Sequence, residues 1–314
     1  MSPSSQLPGG EDPPARSDQL RFVYDLVEPL RVAPGRKVQL HRDFRSEAIH
    51  GPTSKREALT RLSEGVTLLV DYQDRLAAQD AVGVLLIIQG LDAAGKDSTI
   101  KHVMNGVNPQ GVEVRSFKQP SVEELNHDFL WRYQRSLPGR GRIGIFNRSQ
   151  YEEVLVVRVH HQLLAEERLP EEQKSGVWNR RYREINEWER HLVDNGIRVV
   201  KVLLNLSKDE QARRILKRID DPAKNWKFSP SDILERQYWD QYQKAFDTML
   251  SRTSTEWAPW YVVPADHKWF SRLATAAVLI RALAEIDPHY PRPAPEIIRE
   301  MDKAKAALLT EIGR

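Results

Sequence analysis

The sequence predicts an α/β fold in which the strands of a parallel sheet alternate with helices. Aliphatic runs at 82–88, 142–147 and 197–206 are typical of strands that are buried on both faces of such a sheet. Segments with helical periodicity separate these runs, which favours right-handed crossovers between parallel strands. Ligands of open parallel sheets bind at the carboxyl ends of the strands, so a functional site is expected at that edge.

The N-terminal part of the chain carries little periodic signal. Residues 1–31 are predicted to be a flexible segment, because the first 17 residues are rich in Pro, Ser and Gly, although 18–30 favours a short helix. Residues 32–52 are polar and are expected to wrap the surface as an extended arm. Ser54 and Glu57 then form a capping box, which predicts the start of a long amphipathic helix.

Elements beyond the capping box follow from the spacing of apolar residues. Helices are predicted at 54–79, 96–103, 121–136, 151–159, 177–195, 207–218, 230–250, 268–286 and 295–312. Strands are predicted at 82–88, 111–117, 142–147, 197–206 and 260–264. The charged stretch 163–176 is interpreted as a surface excursion. These elements predict a catalytic domain over 32–290 and a separate C-terminal helix within 291–314.

Composition narrows the function classes. Of the 314 residues 40% are hydrophobic and 29% are charged, as in soluble globular proteins. The chain has no cysteine, which excludes a disulfide framework and thiolate chemistry, and no apolar run approaches the roughly 20 residues of a membrane span. We therefore expect a cytoplasmic protein without a membrane partner. The net charge is only +3, but residues 129–151 hold five arginines and no acid, which favours an anionic ligand.

The loop after the first strand carries the clearest functional signal. Gly90, four residues and then Gly95-Lys96 have the spacing of a phosphate-binding loop between a strand and a helix. Backbone N–H groups and the helix N-terminus attract phosphate there, and Lys96 adds a full positive charge. The expected phosphate-binding residues of this stretch are Gly90, Ala93, Ala94, Gly95, Lys96, Asp97, Ser98 and Thr99. Asp97 replaces the usual Ser or Thr, and Asp92 adds a carboxylate that a metal ion or an arginine would balance.

A second group of polar residues follows the third strand. Asn147 stands where many phosphate-loop enzymes have a metal-binding acid, and it offers a carbonyl oxygen without a charge. Glu152 and Glu153 follow one helical turn later, so that a carboxylate can still reach the metal. Arg148 is predicted to point at the transferred phosphoryl group, where a guanidinium stabilises developing charge.

A basic helix and loop after the fourth strand predict a lid at about 207–232. Arg214 and Arg218 share one face of this helix, and Lys224 follows on the loop. Lids of small-molecule kinases close over phosphates and exclude water. The alternative is an exposed helix whose basic side chains pair with nearby acids.

Several separated motifs together resemble the polyphosphate kinase 2 family, over roughly 38–283. They are GLDAAGKDST at 90–99, IFNRS at 145–149 with YEE at 151–153, WNRRY at 178–182, and APWY at 258–261 with DHKW at 266–269. The resemblance implies a three-layer αβα sandwich with a parallel sheet, P-loop kinase-like, with a helical lid. It also implies phosphoryl transfer between inorganic polyphosphate and a nucleotide, dependent on magnesium, or on manganese in its place.

The resemblance implies roles for single residues. Asp92 would bind metal or orient the nucleophile, Lys96 and Arg148 would contact the transferred phosphoryl group, and the lid arginines would bind phosphates. Asn147 departs from the aspartate of much of the family and resembles the subgroup that uses both nucleoside monophosphates and diphosphates. In that subgroup Glu152 assists metal binding, since losing one carboxylate lowers repulsion against an additional anion. The predicted catalytic residues are Asp92, Lys96, Asn147, Arg148 and Glu152, of which Asp92 and Glu152 are the predicted metal ligands.

The predicted function is therefore transfer from polyphosphate to AMP and ADP, giving ADP and ATP. An ATP-dependent nucleotide kinase of the thymidylate-kinase type shares the loop, the strand order and the lid. A non-catalytic phosphate-binding or nucleic-acid-binding protein is the alternative from another class, although no nucleic acid partner is expected. A homo-oligomer is expected, because residues 32–52 and the last helix could dock on a neighbouring subunit.

Overall fold

The computed structural model describes residues 14–313 and contains a five-stranded sheet in which all neighbouring strands are parallel. The strands are β1 Gly83–Gln89, β2 Val112–Ser116, β3 Ile143–Asn147, β4 Ile197–Asn205 and β5 Trp260–Pro264. Their order across the sheet is β2-β3-β1-β4-β5, so β1 lies in the centre. Every residue of β1, β3 and β5 is buried, as the aliphatic runs predicted.

The α-helices fill the connections between strands and the two ends of the chain. They are α1 Pro14–Val27, α2 Leu40–Asp43, α3 Lys55–Gln79, α4 Lys96–Val103, α5 Trp131–Gln134, α6 Val156–Val159, α7 Glu171–Lys174, α8 Val177–Asp194, α9 Lys208–Asp220, α10 Pro230–Glu235, α11 Trp239–Thr253, α12 Lys268–Ile286 and α13 Pro295–Glu311. Short 3-10 helices add Glu28–Leu30, Pro109–Gly111, Glu124–Asn126, Gln150–Val154, His161–Glu167, Asn225–Lys227 and Arg236–Tyr238.

Helices cover both faces of the sheet, which confirms the predicted three-layer α/β fold. Alternate residues of β1 point to opposite faces, as the period of a strand requires. Leu86 belongs to the core shared with α1, α3, α4 and α12. Ile87 belongs to the core shared with α8 and α11, which also holds the fully buried Trp260. Because β1 is central, its carboxyl end lies between helices of both layers.

The N-terminal region departs from the sequence prediction. The prediction of a flexible segment at 1–31 is wrong for 14–31, because α1 packs against α12 and buries Leu26 and Val27; residues 1–13 lie outside the described part. Residues 32–52 are also more than a surface arm, since Leu40 and Phe44 are buried. The Leu40 N–H donates to Asp247 Oδ1 at 2.6 Å, which fixes this region on α11.

Three predicted helices are shorter or broken in the structure. A capping box forms at Ser121 and Glu124, but the backbone becomes extended at His127, so a 3-10 turn and α5 replace one helix over 121–136. At Leu155 the backbone leaves helical geometry, so the predicted helix at 151–159 becomes a 3-10 helix and α6. The helix predicted at 230–250 is divided by the 3-10 turn before Trp239. Tertiary contacts override local periodicity in all three places.

The C-terminal helix α13 lies outside the core. All of its residues are exposed, including Ile297, Met301 and Leu308 on its apolar side. Within residues 14–313, none of the helices has the length and apolarity needed to span a membrane.

Candidate active site

The loop after β1 folds back on itself around one lysine. Gly90 and Gly95 have φ values of 155° and 103°, and Ala93 adopts a left-handed conformation at 65°. A Cβ at Gly90 would lie 3.0 Å from the Leu204 carbonyl oxygen, so the close approach to β4 also favours glycine there. Lys96 Nζ donates to the Gly90 and Leu91 carbonyls at 2.8 and 3.3 Å. The loop therefore has the curled backbone and buried cation of a phosphate cradle.

Arg148 stands between two carboxylates at the end of β3. Its Nη2 donates to Asp92 Oδ1 at 2.6 Å, and its Nη1 donates to Glu152 Oε2 at 2.8 Å. Its backbone has a φ of 65°, and its N–H donates to the Ile88 carbonyl at 3.1 Å. Asp92, Arg148 and Glu152 are thus brought together beside Lys96. The rule that parallel strands end at one edge predicted this for Asp92, Lys96 and Arg148, and Glu152 was expected one helical turn further on.

Asn147 has a partner that the sequence did not indicate. Its Nδ2 donates to Asp97 Oδ1 at 2.6 Å, so the unusual acid after Lys96 binds the unusual amide at the end of β3. A further missed residue is Gln89, whose Nε2 donates to Glu152 Oε1 at 3.1 Å. Gln89 is the last residue of β1, and its place at a strand end was the only sequence signal for it.

The cations and carboxylates of the site shift one another's pKa. Burial, with help from Arg148, lowers the pKa of Lys96 to about 8. Burial alone would raise the pKa of Asp92, but Lys96 and Arg148 outweigh it and hold the pKa below its ordinary value. Glu152 is the main cause of the raised pKa of Arg148. The site therefore keeps Asp92 and Arg148 charged while it weakens the hold of Lys96 on its proton.

Arg214 does not face solvent as a lid cation would. It is buried, and its Nη1 donates to the Ala93 and Ala94 carbonyls at 3.0 and 2.9 Å. Its Nη2 donates to the Ala265 and Asp266 carbonyls at 2.5 and 3.1 Å. Because its guanidinium N–H groups are engaged in these contacts, Arg214 acts as a clamp that holds the phosphate loop to the end of β5. This differs from its predicted role of binding phosphate.

The other predicted lid cations lie in different surroundings. Arg218 Nη1 donates to Asp232 Oδ2 at 3.0 Å, and its charge contributes to the lowered pKa of Asp92, so it faces the site. Lys224 pairs with Asp221 on its own loop and is not brought to the phosphate loop by this contact. Ser98 binds Arg272 rather than standing free beside the loop.

Two cations on α12 were missed by the sequence analysis. Arg272 Nη2 donates to Ser98 Oγ at 2.8 Å, which places it at the first turn of α4. Burial first, and then Arg214, Lys217 and Arg272, lower the pKa of Lys268. Lys268 and Arg272 are four residues apart on the helix after β5, and this spacing was the available signal. The phosphate loop thus continues into a group of crowded positive charges.

A cavity of about 570 Å³ opens beside Arg148. Its lining includes the apolar side chains of Phe117, Phe129 and Tyr133 together with Arg148 and Glu152. Tyr133 belongs to the core layer of α8 and α11, whereas α12 belongs to the opposite layer. Arg148 thus lines a cavity whose wall belongs to the core layer opposite to α12 and its cations.

Comparison with known proteins agrees with this geometry. The profile of the polyphosphate kinase 2 family (PPK2) matches residues 52–291. The chain belongs to the polyphosphate kinase 2 family. Among curated members of the family, an ADP-polyphosphate phosphotransferase of Rhodopseudomonas palustris is 48% identical over 285 residues, covering 90% of this chain and 98% of that protein. An AMP/ADP-polyphosphate phosphotransferase of Meiothermus ruber is 41% identical over 267 residues, covering 85% and 96%.

A solved family structure agrees at the level of the fold. The crystal structure of polyphosphate kinase 2 from Arthrobacter aurescens superimposes with a TM-score of 0.79 at 38% identity, covering 90% of this chain and 96% of that one.

Within residues 14–313, no group of three or more His, Cys, Asp or Glu side chains could hold a metal ion by itself. The carboxylates of Asp92 and Glu152 remain the acidic oxygens that flank Arg148.

Proposed function

We propose that this protein transfers phosphoryl groups from inorganic polyphosphate to AMP and ADP, giving ADP and ATP. The observation that carries the proposal is the cluster of cations beyond Lys96, formed by Lys217, Lys268 and Arg272. Like charges are crowded there although crowding disfavours them, which is expected of a surface that binds a polyanion. A compact donor such as ATP would not need this extension. The relatives, which include an ADP-polyphosphate phosphotransferase and an AMP/ADP-polyphosphate phosphotransferase, support the same donor.

The cavity beyond Arg148 is proposed to bind the acceptor nucleotide. Its volume of about 570 Å³ lies within the usual range of small-molecule sites, roughly 300–1,000 Å³. Phe117 and Phe129 offer apolar faces to a base, and Glu124 and Glu153 offer acceptors for hydroxyl or amino groups. The phosphate end of the acceptor would then lie at Arg148, facing the donor across the guanidinium.

The proposed chemistry is in-line attack by a terminal phosphate oxygen of the acceptor on the terminal phosphoryl group of polyphosphate. The bond from that group to the bridging oxygen breaks, and polyphosphate shorter by one phosphate leaves with the bridging oxygen and its electron pair. A phosphate nucleophile is already ionised at neutral pH, so no strong general base is needed. Lys96 and Arg148 neutralise the approaching anions and the charge of the transition state, while α4 directs its N-terminus at the donor. Catalysis thus consists mainly of positioning and electrostatics.

Magnesium, with manganese as a substitute, fits the oxygen donors of the site. Mg²⁺ commonly takes one or two carboxylates and completes its shell with water and substrate phosphates, so the lack of a larger acidic cluster among residues 14–313 is compatible with it. Asp92 and Glu152 are proposed as its ligands, which requires at least one of them to exchange Arg148 for the metal. When bound, the ion would neutralise phosphate charge.

Use of both AMP and ADP is supported by the charge balance at the end of β3. Asn147 adds no negative charge of its own and binds the Asp97 carboxylate through its amide, while Glu152 lies one turn further along the chain. Fewer fixed carboxylates lower the repulsion against acceptors that carry different numbers of phosphates. The proposal also includes closure of residues 207–232 as a lid, a cytoplasmic location and a homo-oligomer. The mass of the protein in solution tests the oligomeric state.

The deciding assay contains AMP, magnesium and polyphosphate, without ATP, and separates the nucleotides formed. We expect ADP first and then ATP. Phosphorylation of ADP but not of AMP would support polyphosphate as the donor and would overturn the use of both acceptors. No product from either acceptor, together with activity when ATP is added as donor, would favour an ATP-dependent nucleotide kinase. The Lys96→Met variant controls for contaminating adenylate kinase.

Replacing Lys268 with glutamine is expected to weaken polyphosphate binding more at low salt than at high salt. Loss of one phosphate contact should reduce the slope of log affinity against log salt by about 1. Equilibrium binding of long-chain polyphosphate at several salt concentrations measures that slope. The matched control is Lys303→Gln on the exposed helix α13, which should leave the slope unchanged. Equal slopes for both variants would contradict a polyphosphate track on α12.

Polyphosphate affinity is also expected to fall as the pH rises through about 8, because the free protein then loses the proton of Lys96. Because this lysine is neutral in the free protein above pH 8, binding of polyphosphate must then take up a proton. The affinity therefore falls by up to about tenfold for each further pH unit. Binding isotherms between pH 7 and 9.5 test this. A Lys96→Arg variant, which stays charged, separates this effect from titration of the ligand. The same decline in both proteins would contradict the assignment.

A further inference from the structure

A fully buried ion pair lies beneath the active site. Lys201, in the middle of β4, donates from Nζ to Glu189 Oε2 on α8 at 2.7 Å, and both side chains are 0% exposed. Lys201 Nζ also donates to the Thr253 carbonyl at 2.6 Å. Burying two charges between a sheet and its helices is costly, and replacing such a pair with apolar residues is often neutral or stabilising. Stability of the fold alone therefore does not account for this pair.

The remaining hydrogen bonds of the pair go to the segment between Arg148 and Glu152. Lys201 Nζ donates to the Tyr151 hydroxyl at 2.9 Å, and that hydroxyl donates to Glu189 Oε1 at 2.6 Å. Gln150 Nε2 donates to the same carboxylate oxygen at 3.0 Å. Two consecutive buried side chains of this segment are thus tied to one buried ion pair.

This segment needs such support because its backbone is unusual. Arg148 has a left-handed backbone with a φ of 65°, a conformation that persists where surrounding contacts determine it. The 3-10 helix Gln150–Val154 follows, and all of its residues except Glu152 are buried. Any shift of Tyr151 would therefore move Arg148 on one side and Glu152 on the other.

We propose that Lys201 and Glu189 are a positioning pair that holds Arg148 and Glu152 in the geometry of phosphoryl transfer. The proposal rests on the proposed function of the site. The pair acts through Tyr151 and Gln150 and does not touch substrate. Displacement of reacting groups by about 1 Å can cost roughly 100-fold in rate, so loss of the pair should appear mainly in kcat.

The central test is the double variant Lys201→Met/Glu189→Leu, compared with Lys201→Met alone. The single variant leaves a buried carboxylate without its cation and is expected to lose Tm. The double variant removes both charges at similar volume and is expected to recover most of that Tm. Its kcat for ADP with polyphosphate should nevertheless stay about 10- to 100-fold below that of the unmodified protein, with the KM for polyphosphate within about twofold.

Tyr151→Phe provides an independent variant that leaves the ion pair in place. It removes only the hydroxyl that links the pair to the segment, and we expect a fall in kcat with a loss of Tm smaller than that of Lys201→Met, because the two charges keep each other as partners. The matched control is Tyr72→Phe, a buried tyrosine of α3 in the opposite core layer, which should keep full kcat.

Three results would overturn the proposal in distinguishable ways. A double variant with recovered Tm and unchanged kcat would show that the pair has no part in positioning. Equal losses in kcat from Tyr151→Phe and Tyr72→Phe would indicate a general effect of losing a buried hydroxyl. Absence of polyphosphate-driven transfer by the unmodified protein would overturn the proposed function and the positioning role together.

Discussion

Replacing Arg148 with alanine is expected to lower kcat for polyphosphate-driven phosphorylation of ADP by about 10³–10⁵-fold, the range found for arginines that stabilise transferring phosphoryl groups. Arg148 is the guanidinium that bridges Asp92 and Glu152 and lines the cavity. Its removal leaves two carboxylates facing each other, which repel both substrates. Steady-state rates with saturating ADP and polyphosphate measure the loss.

Two further variants separate charge from shape at this position. Arg148→Lys keeps a positive charge but cannot reach two carboxylates with one planar fork, so it should recover only part of the lost rate. Arg135→Ala removes an exposed arginine of the same basic segment and should retain full activity. A loss of less than tenfold in Arg148→Ala, in a protein that remains folded by Tm, would show that Arg148 does not stabilise the transition state.

Replacing Lys96 with methionine is expected to lower kcat by about 10²–10³-fold, as does the loss of one preorganised donor to a developing negative charge. The same variant should not lose Tm at pH 7. Burial lowers the pKa of Lys96 from 10.5 to about 8, so keeping this lysine charged lowers the stability of the fold at every pH below about 8. This deficit in stability shrinks only as the pH rises from about 8 towards 10.5. Methionine removes that deficit at similar volume.

Thermal unfolding and initial rates at pH 7 test both halves of this prediction. Lys101→Met, on the exposed side of the same helix, is the matched control and should change neither quantity. High activity in Lys96→Met would exclude this residue from the transfer step. A large fall in Tm would instead show that the hydrogen bonds of Lys96 to the Gly90 and Leu91 carbonyls stabilise the loop more than burial of the charge opposes it.

The buried network described above depends on contacts that are distant along the chain. Lys201 appeared in the sequence as a polar interruption of an aliphatic strand, and Glu189 as one of several acids of a charged helix. Neither position has a local signal for the other, because β4 and α8 bury both charges only after they pack together. Arg214 is a similar case: its spacing suggested a lid, and the packed structure makes it a clamp on the phosphate loop.

The sequence by itself determined the features that depend on local order along the chain. Aliphatic runs specified buried strands, the capping box at Ser54 specified where α3 begins, and the glycine spacing specified the loop around Lys96. Parallel strands place their carboxyl ends at one edge, and this rule alone brought Asp92 and Arg148 together. Local hydrogen bonding and strand period carry this information, so it can be read from neighbouring residues.

Only the tertiary structure decided which partner each charged group has. It joined Asn147 to Asp97, placed Lys268 and Arg272 beside α4, and broke the helix predicted at 121–136 where the cavity opens. These outcomes depend on burial and on charges that are far apart in sequence, and a buried polar group binds whichever partner packing brings within reach. Periodicity along one segment contains no information about that partner.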